Sequence, residues 1–487
     1  MILYTFNSAD RFVLGVVSTQ IAQALKYGDE GCLKVSTSAN SSLDRDCRAH
    51  KNERECSNFP QCQWNFTGQG IQYQVLAGPT FIVIFSISAL LLGIGVEVKE
   101  FNRKNVLAVF AFLWSTSTLL MGFVTEYWQL VVLRMALGLF ESVGAPFSAS
   151  LLSDYFEKDL RGAAMGIFNW GIYIGFSLTF VFKFILAKTT WEWVFRMAAI
   201  PGCILAVVVA FTVKEPPKRT DALAESVRLS KGSRLLGLAK SFLSPAIFFL
   251  CIAGGIRNGG GLVLAYNVDP FFSQYRQANS AHYMSWVPLV GGAIGAALGG
   301  FISDALVVRF GRQTRVIVLI VSQFLAVPLA FGVLTISHPT AAFMCLLVAF
   351  FVGEMWIGVC LAVVVELRPK FPMGAASLYV FFVQLVGGNA TLLVAPLSNV
   401  SGWDLRHALL VLYPGLFAIS AVLFCVAFFF IRRDMKKREG GDEDLKQLVG
   451  EEEEEEEEES EAQDTEASLT PLLQNPVFSS ASSSSIN

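Results

Sequence analysis

The chain has 487 residues, of which 53% are apolar and only 16% charged, against about 25% charged in a soluble protein. Apolar runs of about 20 residues recur along its length, which excludes a soluble globular fold and gives a multi-pass α-helical membrane protein. The runs are too long and too uniformly apolar for barrel strands, and the formal net charge of −3 conceals a basic membrane-proximal surface, because Glu451 to Glu459 are all glutamate.

Residues 2–25 form the first predicted span, with Asp10 and Arg11 inside it. The span starts at the initiator Met without the basic start and small-residue cleavage site of a signal peptide, so the N-terminus reads as incomplete. Residues 26–72 are a polar loop holding Cys32, Cys47, Cys56 and Cys62 and the sequons Asn40-Ser-Ser and Asn65-Phe-Thr. Clustered cysteines with sequons place this loop in an oxidising lumen or outside the cell, with the three possible disulfide connectivities open.

Further spans are predicted at about 75–95, 106–124, 127–155, 162–186, 192–213, 245–267, 283–303, 315–336, 340–366, 374–398 and 407–431, twelve in all. Alternation puts both termini in the cytoplasm, together with Lys99, Arg103, Lys104, Lys158, Arg161, Arg309, Arg312, Arg315, Arg368 and Lys370. The middle loop Lys214–Lys240 and the cluster Arg432–Arg438 fall on the same side, while the outer loops carry little beyond Lys188, Arg276 and Arg406. The positive-inside rule therefore agrees with the cysteine argument. A third sequon, at Asn399, falls outside; the one at Asn389 lies within a span and is discounted. The leucines and basic residues of Arg228–Lys240 suit either an interfacial segment on anionic headgroups or a solvated linker. The acidic tail from Gly440 is disordered by composition. The expected organisation is a first bundle at 1–213, a linker at 214–244, a second bundle at 245–432 and a tail at 433–487.

The fourth span holds Arg134 and Glu141, seven residues and about two helical turns apart, hence on one face. A charge at the bilayer centre costs roughly 2.5–3.5 kcal/mol or more, so both must face a bundle interior or a watery cavity. They read either as a substrate or proton site, or as an internal ion pair that holds helices together. No zinc-spaced Cys/His set, phosphate-cradling loop or nucleophile–base pair is visible, so no metal, cofactor, nucleic acid or enzymatic activity is expected. Gly259–Gly261 reads as helix packing or a flexible break, and the glycines of 162–175 and 291–300 as small faces for close helix approach.

An internal repeat is visible. Asp154 to Gly166 aligns with Glu366 onward at an offset of 212, which also relates Gly175 to Gly387. Glu141 meets Glu354 within one position, and Arg11 in span one has a rough counterpart in Arg257 in span seven. Two six-helix halves follow, with a binding site near mid-membrane between them. Arg134 has Leu346 at its offset, so the site is expected to be asymmetric: a paired acid and base in the first half, and in the second an acid, Glu354, whose partner is Arg257.

At this point the chain resembles the major facilitator superfamily. The loop Gly300-Phe-Ile-Ser-Asp304-Ala-Leu-Val-Val-Arg309-Phe-Gly311-Arg312 is similar to the family's G-x-x-x-D-…-R-x-G-R signature. Its counterpart, Gly95-Val-Glu-Val-Lys99-Glu100-Phe-Asn102-Arg103-Lys104, has Lys99 where the family has Asp, so the acid is expected at Glu97 or Glu100. Asn7-Ser-Ala-Asp10-Arg11-Phe, Asn102-Arg103-Lys104, Arg134-…-Gly138-…-Glu141-Ser, Trp191-…-Trp193-Val-Phe-Arg196-…-Ile200-Pro201-Gly202 and Lys214-Glu-Pro-Pro217 resemble the Spinster-like group. They are shared in part with sugar-acid carriers. The cysteine loop and Arg257-Asn258 depart from the Spinster pattern.

The resemblance implies an all-α membrane protein with twelve transmembrane helices in two pseudo-symmetric six-helix bundles. It also implies alternating access and proton- or ion-linked movement of a lysolipid or sphingolipid at endolysosomal or plasma membranes. In that scheme Arg11, Arg134, Arg257 and Asn258 bind an anionic headgroup. Asp10, Glu141 and Glu354 are the coupling acids; Glu354 stands out unless Arg257 reaches it, because Phe350 and Gly358 are its neighbours in its own span. Gly95, Arg103, Gly300, Asp304, Arg309 and Arg312 form the gating loops. Asp10, Arg11, Arg134 and Glu141 as one structural network is the alternative. Rival functions are a carrier of small organic anions such as sugar acids, and a transporter-like sensor or scaffold whose Cys-rich loop binds a partner. A monomer among membrane lipids is expected.

Overall fold

The computed structural model describes residues 1–34, 47, 52–98, 102–156, 158–216, 244–276, 280–367, 372–400 and 403–434. Asn40, Lys99, Glu100, the Arg228–Lys240 segment and the acidic tail lie outside these residues, as do the side chains of Glu97 and Arg312. The chain divides into Met1–Ile431, which holds the membrane region, and Arg432–Asn487, of which only Arg432–Asp434 is described.

The first helix, α1 (Ile2–Leu25), is long enough to span but is made polar by Asn7, Ser8, Asp10 and Arg11. Eleven further helices among the described residues are long and apolar enough to cross a membrane. They are α2 (Ile71–Gly93), α3 (Arg103–Met121), α4 (Tyr127–Leu152), α5 (Ala164–Leu186), α6 (Trp191–Thr212), α7 (Pro245–Tyr275), α8 (Ala281–Phe310), α9 (Arg315–Thr335), α10 (Pro339–Leu367), α11 (Ala375–Ser398) and α12 (Leu405–Asp434). The fold is the predicted one: twelve spanning helices in two six-helix halves, α1–α6 and α7–α12.

Several spans are interrupted where the sequence reading drew one continuous helix. In α2 the helix stops at Ala77, turns at Gly78 and restarts at Pro79, as expected where proline removes a donor. In α4 the first segment, opened by a capping box of Glu126 and Gln129, ends at Glu141, and a second starts at Gly144. In α8 a single π turn occupies Pro288–Gly292, and in α10 a 3₁₀ turn occupies Glu354–Trp356. Three of these four interruptions adjoin the charged residues picked out from sequence or their neighbours, as irregular backbone at membrane depth does where it lines a protein interior.

The repeat is realised in packing. Gly175 of α5 abuts the Thr5 carbonyl of α1 so closely that a Cβ would overlap it; Gly387 of α11 meets the Gly255 carbonyl of α7 in the same way, at 2.8 Å from a would-be Cβ. Each half thus seats its first helix against its fifth through a small residue. Leu130, Leu137, Phe147 and Val194 anchor an apolar core in the first half, and Phe271, Phe343, Leu346 and Leu409 one in the second.

The loop after α1 forms a small antiparallel sheet, β1 (Glu30–Lys34) with β2 (Cys62–Phe66), in which Cys32 lies opposite Trp64. Disulfides join Cys32 to Cys56 and Cys47 to Cys62, settling the connectivity that spacing left open. The loop is rooted on α1: Thr19 Oγ1 donates to the Thr67 carbonyl and Gln23 Nε2 to that of Phe66. On this loop face the halves are also tied together. Tyr73 Oη donates to the Tyr266 carbonyl at 2.8 Å, Gln74 Nε2 to Asn267 Oδ1 at 3.1 Å, and Lys183 pairs with Asp269.

Candidate functional site

Each half holds one buried ion pair between its first and fourth helices. In the first, Arg11 Nη2 of α1 lies 3.3 Å from Glu141 Oε2 of α4. In the second, Arg257 Nη2 of α7 lies 2.9 Å from Glu354 Oε1 of α10. The expected pairing of Arg134 with Glu141 is not formed. Residues seven apart share a face, but their Cα atoms are about 10 Å apart along the axis, and Arg11 fills the gap. The ion pairs are therefore symmetric between halves, contrary to the expected asymmetry; the first half's surplus is Asp10 and Arg134, at whose repeat positions stand Ile256 and Leu346.

The two pairs differ in which member is reachable. Arg11 is 14% exposed over a fully buried Glu141, whereas Glu354 is 16% exposed over an Arg257 that is 4% exposed. The first half thus presents a cation and the second an anion. Aromatic rings flank both: Arg11 lies over Phe81 and Phe85 at 5.1 and 4.7 Å, and Arg257 over Trp356 and Phe417, each at 4.8 Å, contacts favourable to a guanidinium. The α10 break supplies a further acceptor: Arg257 Nη2 donates to the Gly353 carbonyl at 2.6 Å, and Gln323 Nε2 donates to the same oxygen.

Arg134 is fully buried. Its Nε donates to the Leu76 carbonyl at 3.2 Å and its Nη1 to that of Arg11 at 3.3 Å. Thr80 Oγ1 also donates to the Leu76 carbonyl, so Arg134 and Thr80 together satisfy backbone freed by the Gly78–Pro79 break. Asn258 is not brought to the charged pairs; its Nδ2 donates to Gln384 Oε1 at 2.8 Å, joining α7 to α11.

Asp10 is different again. It is buried, and neither carboxylate oxygen has a hydrogen-bond partner among the described residues. The Thr118 hydroxyl of α3 faces it, Glu141 lies close by, and the amide of Asn7, one turn along α1, is also without a partner. Although adjacent in sequence, Asp10 and Arg11 point about 100° apart around the helix and do not pair. No set of His, Cys, Asp or Glu able to hold a metal occurs among the described residues.

On the opposite, linker face, each half has a charge cluster, and the offset of 212 relates Arg103 to Arg315 and Asp154 to Glu366. Arg103 contacts Asp154 at 2.5 Å, Glu215 at 2.7 Å and Ser150 Oγ at 2.8 Å. Arg315 contacts Asp304 at 2.5 Å, Glu366 at 2.8 Å and Ser303 Oγ at 3.0 Å. The cation that answers Asp304 is thus Arg315. Arg309 is exposed and makes no ion pair among the described residues, since it points away from the bundle on the last turn of α8. Gly95 lies in the last turn of the helix running on from α2, and Gly300 faces open space. Sequence reasoning missed Asp154, Glu215, Arg315 and Glu366 as members of these ion-pair clusters, although the offset maps Arg103 onto Arg315 and Asp154 onto Glu366. It also missed Tyr173, whose hydroxyl donates to Glu354 Oε2 at 3.2 Å from the other half.

The sequence profile of the Major Facilitator Superfamily matches residues 1–391. The chain belongs to that superfamily. It is an integral, multi-pass membrane protein of a transporter family, not an enzyme. It is 30% identical over 254 residues to the sphingosine-1-phosphate transporter SPNS2 of Danio rerio, covering 48% of either chain. It is 25% identical over 348 residues to the D-galactonate transporter of Escherichia coli O6:H1, covering 65% of this chain and 77% of that one. The chain therefore spans about half the length of SPNS2. Among solved structures, a bacterial homologue of the human lysosomal transporter Spinster, inward-facing and unoccupied, superposes with a TM-score of 0.64 at 18% identity over 89% of this chain and 96% of its own. That likeness establishes the fold. Within the superfamily the chain resembles the Spinster-like group.

Proposed function

We propose that this superfamily member is a secondary active transporter of an anionic amphiphile, a lysolipid or sphingolipid, working by alternating access. The observation that carries the reading is the pair of Arg–Glu bridges, one per half, each with one open charge and a rim of aromatic rings. Arg11 is the cation that a phosphate or carboxylate headgroup reaches first, and Arg257 a second once Glu354 is displaced; a guanidinium recognises either group bidentately. Phe81, Phe85, Trp356 and Phe417 are buried beside the two guanidinium groups and hold them in place. The kinship with SPNS2 supports a lipid phosphate. Asp10, the site carboxylate without a cationic partner, takes the coupling proton; Glu141 and Glu354 are held by arginine.

The halves, 1–213 and 245–432, rock about this site around the 214–244 linker, and the Arg103 and Arg315 clusters latch the linker face. The disulfide loop faces a lumen or the exterior, with Asn40, Asn65 and Asn399 as glycosylation sites, and both termini face the cytoplasm of an endolysosomal or plasma-membrane monomer. Kinship with the D-galactonate transporter over 77% of its length favours a second reading, a small sugar acid in the same site.

A thermal-stabilisation screen of purified protein separates the two, because a ligand that binds only the folded state raises its melting temperature. Lysophosphatidic acid should raise it in the parent and not in Arg11→Ala. A rise with D-galactonate and none with lysophosphatidic acid selects the sugar-acid reading.

A further inference from the structure

Tyr173 stands on α5 in the first half, yet its polar contact belongs to the second. Glu354 Oε2 accepts from the Tyr173 hydroxyl at 3.2 Å, while Oε1 accepts from Arg257 at 2.9 Å. One carboxylate is thus shared between a cation of its own half and a phenol of the other. The Tyr173 ring is buried against Gly292 of α8, where any Cβ would overlap it. Gly292 closes the π turn Pro288–Gly292, a geometry that is rare inside α-helices and concentrates at functional positions. Four residues along the same face of α5, Ser177 Oγ accepts from the Leu289 amide in that turn at 3.2 Å. On its far side, Gly291 packs against the Leu347 carbonyl and Phe350 of α10, one turn before Glu354. Tyr173, the π turn and the α10 break form one contiguous contact between the halves.

We propose that Tyr173 is a positioning residue that couples the Arg257–Glu354 pair to the α5–α8 contact. The proposal rests on the transport reading above. Arg257 is nearly closed off and Glu354 covers it, so a ligand anion that engages Arg257 must displace Glu354. The displaced carboxylate leaves Tyr173, and the contact loses a charge-assisted hydrogen bond. Occupancy of the site is thereby transmitted to the surface on which the halves move.

Tyr173→Phe keeps the ring on Gly292 and removes the donor. Spin labels attached without cysteine chemistry at Ile167 and Phe301, both exposed and in the linker-side halves of α5 and α8, report the α5–α8 distance in the full chain, with and without lysophosphatidic acid. In the parent the ligand shifts the distance distribution. In Tyr173→Phe the ligand-free distribution already resembles the ligand-bound one and changes little further. Uptake should lose about tenfold in kcat with KM within about threefold, the signature of an interaction that acts on turnover and not on binding. Gly292→Ala should give the same ligand-free shift, because its methyl group dislodges the ring. The proposal is overturned if Tyr173→Phe keeps the parent's ligand-free distribution. It is overturned equally if KM rises at constant kcat, which makes Tyr173 a substrate contact. The ligand-free arm uses no substrate, so its failure is separate from that of the transport reading, which fails if the parent takes up nothing.

Discussion

At the residue scale, the arginines of this site divide by what their guanidinium groups touch. Arg134 is committed to two main-chain carbonyls, of Leu76 at the α2 break and of Arg11 on α1, whereas Arg11 and Arg257 each answer one glutamate. Removing one partner of a buried pair leaves an uncompensated charge, worth about 3–5 kcal/mol, while removing both is far less costly. Arg11→Met and Glu141→Leu should therefore each lower stability in detergent unfolding by about that amount, and the double variant by clearly less; strictly additive losses contradict the pairing. Asp10 lacks such a cationic partner, which is why the proposal above gives it the coupling proton. Asp10→Asn should abolish the response of uptake to an imposed pH gradient while exchange of lysophosphatidic acid across the membrane continues. The Arg11–Glu141 contact was legible only inside the alternative that groups Asp10, Arg11, Arg134 and Glu141 in one network, because helical spacing tells which residues share a face and not which neighbouring helix fills it. Seven-residue spacing pointed to Arg134, and the third body, Arg11, came from a helix more than a hundred residues away.

At the element scale, the breaks matter more than the helices. The sequence placed twelve spans, eleven of them as apolar helices long enough to cross, since about 20 apolar residues in a row admit few other structures. It did not show that α2, α4, α8 and α10 are interrupted, as a π or 3₁₀ turn changes hydrogen bonding without changing composition. Tyr173 was illegible for the same reason: a tyrosine in an apolar run carries no signal until Gly292 and Glu354 are placed beside it. Close packing was partly legible, through the offset of 212 that relates Gly175 to Gly387. Gly175→Ala should cost about 1–3 kcal/mol through overpacking against α1, whereas Gly166→Ala, with open space around it, should be neutral in the same melting assay. The four loop cysteines were legible as a set but not as pairs. Disulfides closing 24- and 15-residue separations restrict the unfolded loop by about 3 kcal/mol each. Cys32→Ser with Cys56→Ser should accordingly raise hydrogen exchange in Glu30–Lys34 and Cys62–Phe66 and leave the membrane helices protected.

At the scale of the whole molecule, the two halves repeat one plan with two unmatched charges. Both set an arginine of the first helix on a glutamate of the fourth, and both hold an arginine between acids on the linker face. In the first half one of those acids, Glu215, comes from the start of the linker, where the family signature has lost its aspartate to Lys99. The differences are Asp10 and Arg134, with Ile256 and Leu346 at their repeat positions, so the proton and headgroup sites proposed above are adjacent residues of α1. The central claim is that this arrangement moves an anionic amphiphile, and the direct measurement is uptake of labelled lysophosphatidic acid by proteoliposomes holding the full chain. Parent protein should exceed protein-free liposomes, with Arg11→Ala lower by about tenfold or more, as loss of a charge-assisted hydrogen bond to the headgroup requires. Uptake no faster than in protein-free liposomes, with D-galactonate carried instead, would contradict it.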